Sequence, residues 1–256
     1  MIGRAKQHLW TVASFLLIVI LWDLAVRVFR LPVYLVPSPL DVVRELTAQW
    51  RPLGFHSLWT TLAVLIGFIA AALFAVPLAM LIVVSRVLER LLYPPMVATQ
   101  SIPKIALAPL FVVWFGFGVS PKVAVAFLIA FFPIVIDTIV GLRSIDPAML
   151  QLARSMGAPP ARIFLKLRLP HALPMVFGGL KVASTLAVVG ALTGEFIGSD
   201  KGLGYVLVQA SGNLNTPLLF ATLVVLSVLA MLFFYAVEAL ERLLIPWHVS
   251  QRVHPS

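Results

Sequence analysis

Residues Leu58 to Val84, LWTTLAVLIGFIAAALFAVPLAMLIVV, run without a charged side chain. The hydrocarbon core of a bilayer, about 30 Å thick, is crossed by roughly 20 apolar residues in helical form. No water is present there to pair backbone N–H and C=O groups, and a helix satisfies them within its own segment. The stretch therefore reads as one transmembrane helix. Five further segments pass the same test: Leu9 to Phe29, Leu91 to Gly116, Val123 to Leu142, Leu173 to Gly194 and Leu218 to Leu240. The fold class that follows is an all-α membrane protein of about six transmembrane helices.

Composition points the same way. Of 256 residues, 61% are hydrophobic and 11% charged, whereas soluble domains carry about 25% charged residues. Arg4 and Lys6 precede the first apolar stretch as they would in a secretion signal. That stretch is too long for a signal core and no small-residue cleavage site follows, so it reads as a retained first span. The absence of cysteine excludes disulfides, a thiol nucleophile and cysteine metal sites. The net charge of +9 does not indicate nucleic acid, because the basic residues lie between spans instead of along one face.

Lysine and arginine also set orientation, since they concentrate in cytoplasmic loops. With the N-terminus inside, the cytoplasmic set is Arg4, Lys6, Arg86, Arg90, Arg143, Arg154, Arg162, Lys166, Arg168, Arg242 and Arg252. The opposite set, Arg30, Arg44, Arg51, Lys122 and Lys201, is the smaller. Both termini are therefore expected in the cytoplasm. The third span carries Pro103 and Pro109, and the fifth Gly178, Gly179 and Gly190. Both are expected to be broken and to lie inside the bundle, where neighbours or water satisfy freed backbone groups.

The cytoplasmic loop 143–171 is longer than a minimal helix connection. Asp146 before Pro147 is an N-cap with proline at the first helical position, and Gly157 can end that helix after Met156. A second helix is expected from Pro159 or Pro160, stopping before Pro170. It interleaves Arg162, Lys166 and Arg168 with Ile163, Phe164, Leu165 and Leu167. Such a helix rests on anionic headgroups or docks a cytoplasmic partner.

The spacing within this loop resembles a known signature. Gln151-Leu152-Ala153-Arg154-Ser155-Met156-Gly157, nine further residues and then Leu167-Arg168-Leu169-Pro170 are similar to the cytoplasmic motif of bacterial ABC importer permeases. That motif runs Glu-Ala-Ala, three residues, Gly, nine residues, Ile, one residue, Leu-Pro. Gln151, Leu152 and Leu167 depart from it, while Ala153, Gly157, Leu169 and Pro170 keep it. Three more passages resemble the nitrate, sulfonate, taurine and thiamine-precursor branch. They are Leu35-Val36-Pro37-Ser38-Pro39, Ile102 to Leu110 with Trp114-Phe115-Gly116, and Gly194 to Gly198 with Gly202-Leu203-Gly204-Tyr205.

The resemblance implies a type I importer-permease bundle in the bacterial inner membrane. It implies two copies around a central path, an ABC ATPase on each cytoplasmic face, and a periplasmic or lipid-anchored binding protein that delivers substrate. Gln151, Leu152, Ala153, Gly157, Phe164, Leu167, Leu169 and Pro170 would form a coupling helix-turn-helix that fits the ATPase. Small Ala153 and Gly157 permit close approach, and Leu152, Phe164 and Leu167 offer apolar surface to a partner.

No lysine is followed by serine or threonine, so no phosphate loop is present; the chain is not expected to be an enzyme, and ATP and Mg would act on the partner ATPase. His8, His56, His171, His248 and His254 are scattered, without metal-site spacing, and read as interfacial. Lys104, in the middle of the third span, would cost at least about 2.5 kcal/mol if left facing lipid. It reads as a path residue for an anionic substrate, or as a snorkelling or ion-paired lysine with Asp137 or Glu195 as partner. Glu195 reads with Lys104 as a residue of the translocation path, and it opens a glycine-rich segment through Gly204 that reads as an external gate or binding-protein contact; a solvated helix-end charge is the reading for Asp200 and Lys201. Asp137 reads as structural, and Asp23 with Arg27 as a pair along the first helix. The segment Leu40 to Leu53 reads as an amphipathic interfacial helix, with Trp50 and Trp59 in an aromatic belt.

Organisation is expected as an N-terminal helix and external segment over 1–56, a permease core over 57–240 and a cytoplasmic tail over 241–256. The alternative of another class is a secondary transporter, which also uses broken helices and buried charge but usually carries an internal repeat. Substrate is left open between a sulfonate, taurine or nitrate-like anion and a thiamine-precursor-like or riboflavin-like ligand.

Overall fold

The structure is a computed structural model that describes residues 2–247, the side chains of residues 2–9, 11 and 12 excepted. Its helices are α1 (Ile2–Val28), α2 (Pro39–Ala48), α3 (Trp50–Val84), α4 (Arg86–Thr99), α5 (Ala108–Phe115), α6 (Val119–Arg143), α7 (Pro147–Ser155), α8 (Pro160–Ile163), α9 (Leu169–Phe196), α10 (Leu203–Gly212) and α11 (Thr216–Leu244). No strand occurs among the described residues. Four helical runs among them are long and apolar enough to cross a membrane: α3, α6, the run Pro160–Phe196 and α11. The pair Arg86–Thr99 and Lys104–Phe115 makes a fifth if counted as one span. The expected first span falls in α1, and the side chain of Leu9 lies outside the described residues. So do the side chains of Arg4, Lys6 and His8, and the tail with His248, Arg252 and His254.

The third span is not a straight helix. α4 ends at Thr99, a 3-10 turn covers Lys104–Leu107, and the two halves are bent by 90°. Pro103 supplies no N–H and disfavours helical backbone at Ile102 before it. Pro109, in the first turn of α5, is tolerated because the N–H it lacks would be unpaired there anyway. The fifth span corrects the expectation of a break, since α9 runs from Leu169 to Phe196 without interruption. Its glycines are places of contact. A Cβ on Gly179 would lie 2.7 Å from Asp137 Cβ, and one on Gly190 2.7 Å from Ala126 Cα.

Helix α6 lies between α3 and α9, its most extensive neighbours. Every fourth residue of α3 from Ala63 is small and buried: Ala63, Gly67, Ala71, Ala75 and Ala79. Helix α9 repeats the device with Gly179, Ala183, Ala187 and Ala191. Residues four apart share a helix face, and small residues let two backbones approach within lipid. A Cβ on Gly67 would lie 2.7 Å from that of Ala126, so Ala126 is gripped from both sides. Helices α10 and α11 pack on α9, α2 packs on α11, and α1 touches α2. Trp22 of α1 also meets Phe220 of α11 at 5.7 Å between rings.

The expected segment Leu40 to Leu53 divides. Helix α2 ends at Ala48, and Trp50 opens α3, so the boundary at 56/57 falls inside α3. Ser38 and Asp41 form a capping box at the start of α2. The Ser38 hydroxyl donates to the Asp41 carboxylate at 2.6 Å and holds that carboxyl below its ordinary range. Asp23 and Arg27 pair at 2.7 Å as the spacing requires.

The seam gives a first prediction. Gly190→Ala should destabilise the protein by about 1–3 kcal/mol through overpacking, seen as a lower unfolding temperature in lipid nanodiscs. Gly178→Ala, where nothing lies within 4 Å of the added methyl, should leave that temperature unchanged or raise it.

Candidate coupling loop and translocation path

Helix α7 is built as its capping residues require. Asp146 Oδ1 accepts from the Ala148 N–H at 2.8 Å, and Pro147 occupies the first turn. Gly157 closes the turn at φ +76°, a conformation that side chains oppose. The expected stop before Pro170 does not occur. Helix α8 passes into a π-turn over Phe164–Arg168, where the Leu169 N–H bonds to the Phe164 carbonyl, and continues as α9. The wide turn ends at Leu169, directly before Pro170, and the helical run continues past the proline. The loop's second helix and the fifth span are thus one run of 37 residues.

Within the loop, Gln151, Leu152 and Gly157 are exposed and Ala153 half-buried. Phe164 is half-buried and packs on the cluster of Leu142, Ala172 and Val176. Leu167, Leu169 and Pro170 are half-buried. The exposed apolar face of α7 consists of Met149 (50% exposed), Leu152 (62%) and Met156 (78%). The motif does not name the two methionines; their signal in the sequence is spacing, three and four residues from Leu152, which places all three on one stripe. Buried Ile145 and Ile163 anchor the loop beneath it.

Lys104 opens the 3-10 turn at the bend, half-buried, with Nζ 4.7 Å from the centre of the Phe132 ring. Neither carboxylate named for it is its partner. Asp137 packs over Gly179 of α9, and Glu195 is engaged elsewhere.

At the end of the bundle opposite α7, Glu195 is 1% exposed and fully engaged. Thr60 Oγ1 donates to its carboxylate, 2.8 Å from Oε1 and 3.0 Å from Oε2, and the Gly204 N–H donates to Oε2 at 2.7 Å. Thr60 Oγ1 in turn accepts from the Leu203 N–H at 2.8 Å, and His56 Nδ1 accepts from the Gly202 N–H at 3.1 Å. Lys122, which charge counting places in an outer loop, is buried at 2% exposure in the first turn of α6. Its Nζ lies 4.0 Å from Glu195 Oε1 and donates to the Lys201 carbonyl at 2.6 Å. The reason is the Glu195 carboxylate, since a buried charge persists only when paired. Gly202 and Gly204 leave room for it, and a Cβ on Gly202 would overlap the carboxylate. Glu195 is therefore enclosed within the subunit, joining α3, α6, α9 and α10.

The model of the family described as "Binding-protein-dependent transport system inner membrane component" matches residues 63–246. The chain is similar to the formylaminopyrimidine transport permease protein of Halalkalibacterium halodurans, 38% identical over 97% of this chain and 99% of that protein. It is also similar to the riboflavin transport system permease protein of Chloroflexus aurantiacus, 36% identical over 93% of this chain and 89% of that one. A solved structure of a methionine ABC transporter in inward-facing conformation shares the fold, with TM-score 0.66 and 22% identity over 77% of this chain and 97% of that chain.

Replacing Thr60 by Val removes the hydroxyl that serves both Glu195 and Leu203. Each buried group left without a partner costs about 1–3 kcal/mol. The unfolding temperature of Thr60→Val in nanodiscs should therefore fall well below that of Thr60→Ser, which keeps the hydroxyl; equal temperatures would show that the bond contributes nothing.

Proposed function

We propose that this chain, which belongs to the family of binding-protein-dependent transport system inner membrane components, forms with a second copy of itself the path of an importer for a small heterocyclic solute. It is the permease of an ABC importer, and ATP hydrolysis resides in a separate subunit. In this reading an ABC ATPase seats α7 on the cytoplasmic side, where both termini also lie. A periplasmic or lipid-anchored binding protein delivers substrate at the end that carries Gly198–Gly204.

The observation that supports this most is the union of an exposed apolar stripe with a span. Met149, Leu152 and Met156 lie exposed on a short capped helix, and Pro160–Phe196 runs unbroken from that loop to Glu195. A partner that moves the stripe therefore acts on a stiff element that crosses the bundle. Methionines suit such a contact because their side chains adapt to the facing surface.

The two relatives transport formylaminopyrimidine and riboflavin by name, which favours a heterocycle with ring nitrogens and carbonyls as substrate. Lys104, at the bend between α4 and α5, is the residue we assign to the path. There its ammonium would donate to a carbonyl, or pair with an anion. A sulfonate, taurine or nitrate-like anion is the second reading, and this lysine is the observation that favours it.

The deciding measurement is ATP hydrolysis by this chain reconstituted with its ATPase and binding protein, titrated with formylaminopyrimidine, riboflavin, taurine and nitrate. Stimulation by a heterocycle is expected. Stimulation by taurine or nitrate alone would select the anion reading, and uptake without any ATPase would replace the importer by a secondary transporter. In the same assembly Leu152→Asp, which places a charge in the contact, should weaken ATPase binding by at least about 2 kcal/mol, roughly 30-fold.

Lys104→Ala should lower uptake about tenfold with the ATPase still bound, the loss of one charge-assisted hydrogen bond. Uptake equal to that of the unsubstituted protein would remove Lys104 from the path.

A further inference from the structure

Where α3 ends and α4 begins, the loop around Gly157 and the π-turn enclose a pocket of about 970 Å³. Its walls carry Arg86, Arg154 and Arg168, together with Val84, Phe164 and Leu165. One acidic residue lines it, Glu89, and that carboxylate is taken by Arg143 at 2.8 Å. Arg86, Arg154 and Arg168 form no ion pair with any described residue. Three guanidinium groups around one cavity repel one another unless an anion enters.

Two further features restrict the anion. Val84 and Leu165, on the pocket wall, are 68% and 60% exposed, and Val84 is the last residue of a membrane-crossing helix. The charged rim therefore continues into exposed apolar surface at the end of a membrane-crossing helix. The π-turn that offers Phe164, Leu165 and Arg168 to the pocket is a distortion seldom kept without a use. A free inorganic ion would use the arginines and leave the apolar wall bare. A phosphate joined to acyl chains uses both, and the volume suits a headgroup with the start of its chains.

We propose that this pocket holds the headgroup of an anionic phospholipid of the cytoplasmic leaflet, its phosphate between Arg86 and Arg168 and its chains along Val84 and Leu165. The proposal rests on the reading that places α7 in the cytoplasm. Bound there, the lipid ties the α3–α4 junction to the base of the coupling loop and neutralises charge that otherwise pushes the loop away.

The test is native mass spectrometry of the full chain released from nanodiscs of phosphatidylcholine doped with phosphatidylglycerol. Retained phosphatidylglycerol is counted for the unsubstituted protein, Arg86→Gln, Arg168→Gln and Arg168→Lys. Each glutamine variant should lower the apparent affinity about fivefold, the contribution of one cation at an anionic surface. Arg168→Lys should restore most of it, and excess inorganic phosphate should displace nothing. Equal retention in all variants would overturn the site, and displacement by phosphate would make it a free-anion site. ATPase capture is measured separately on the same variants. Weakened capture with unchanged lipid retention would overturn the lipid site and reassign the arginines to the ATPase contact. Failure of the chain to bind any ATPase, with lipid retention still arginine-dependent, would sink the coupling reading and leave the site standing.

Discussion

The fold depends on one close approach. Ala126 of α6 sits between Gly67 of α3 and Gly190 of α9, and a methyl group on either glycine would lie 2.7 Å from an Ala126 carbon. Between helices in lipid there is little hydrophobic force, because hydrocarbon tails are as apolar as leucine. Association has to come from dispersion across backbones brought close together, which requires side chains that are nearly absent. The seam between α6 and α9 repeats the arrangement along its whole length. Gly141 meets Ala172 and Met175 at one end, Gly179 meets Asp137, and Gly194 meets Lys122 at the other. Two antiparallel spans are thereby fixed in register from the loop end to the opposite end.

That register carries the polar cluster at the far end. The Gly194–Lys122 contact brings the first turn of α6 against the last turn of α9, so a buried lysine reaches the carboxylate of the next residue, Glu195. Burial of an ion pair is seldom a net gain over apolar packing, and breaking one is costly. Its value here is in specification. Thr60, Gly204, Leu203 and Lys122 all have to be in place for the cluster to be satisfied, which leaves one way to close the 198–204 segment over three spans. Glycine at 202 and 204 is the corresponding sequence requirement, since a Cβ at 202 would overlap the carboxylate and one at 204 would lie 2.6 Å from Glu195 Cβ.

Spans, caps and the family motif were legible because each is a local rule. Hydropathy located the crossing segments, Asp146 and Pro147 the start of α7, and Gly157 its end. What escaped depends on partners distant in the chain. Gly179 and Gly190 look like breaks to a reading confined to α9 and become contacts only when α6 is placed beside them. The small-residue ladder from Ala63 to Ala79 was present in the sequence with a period of four, hidden inside a uniformly apolar run. Lys122 was counted among loop charges because its partner Glu195 is remote in sequence. Pro170 was read as a stop under the rule for a proline inside a helix, whereas the run continues through it directly after the π-turn.

The π-turn also bears on the proposed transmission of movement from α7 to the spans. Had the helix stopped at Pro170, the proposed coupling loop would join the fifth span through a flexible link, and motion at α7 would dissipate there. Instead the run Pro160–Phe196 extends about 55 Å at a helical rise of about 1.5 Å per residue, with Ile163 buried near one end and Glu195 at the other. A stiff element of that length held by α6 along the way cannot tilt at one end without displacing the other. The five-residue π-turn Phe164–Arg168 and Pro174, which lacks a helix N–H, are the departures from regular α-helix along it. Whatever stiffens that turn therefore governs how much of a movement at α7 arrives at the Glu195 cluster, and Phe164, packed on Leu142 and Ala172, is the internal brace the chain supplies for it.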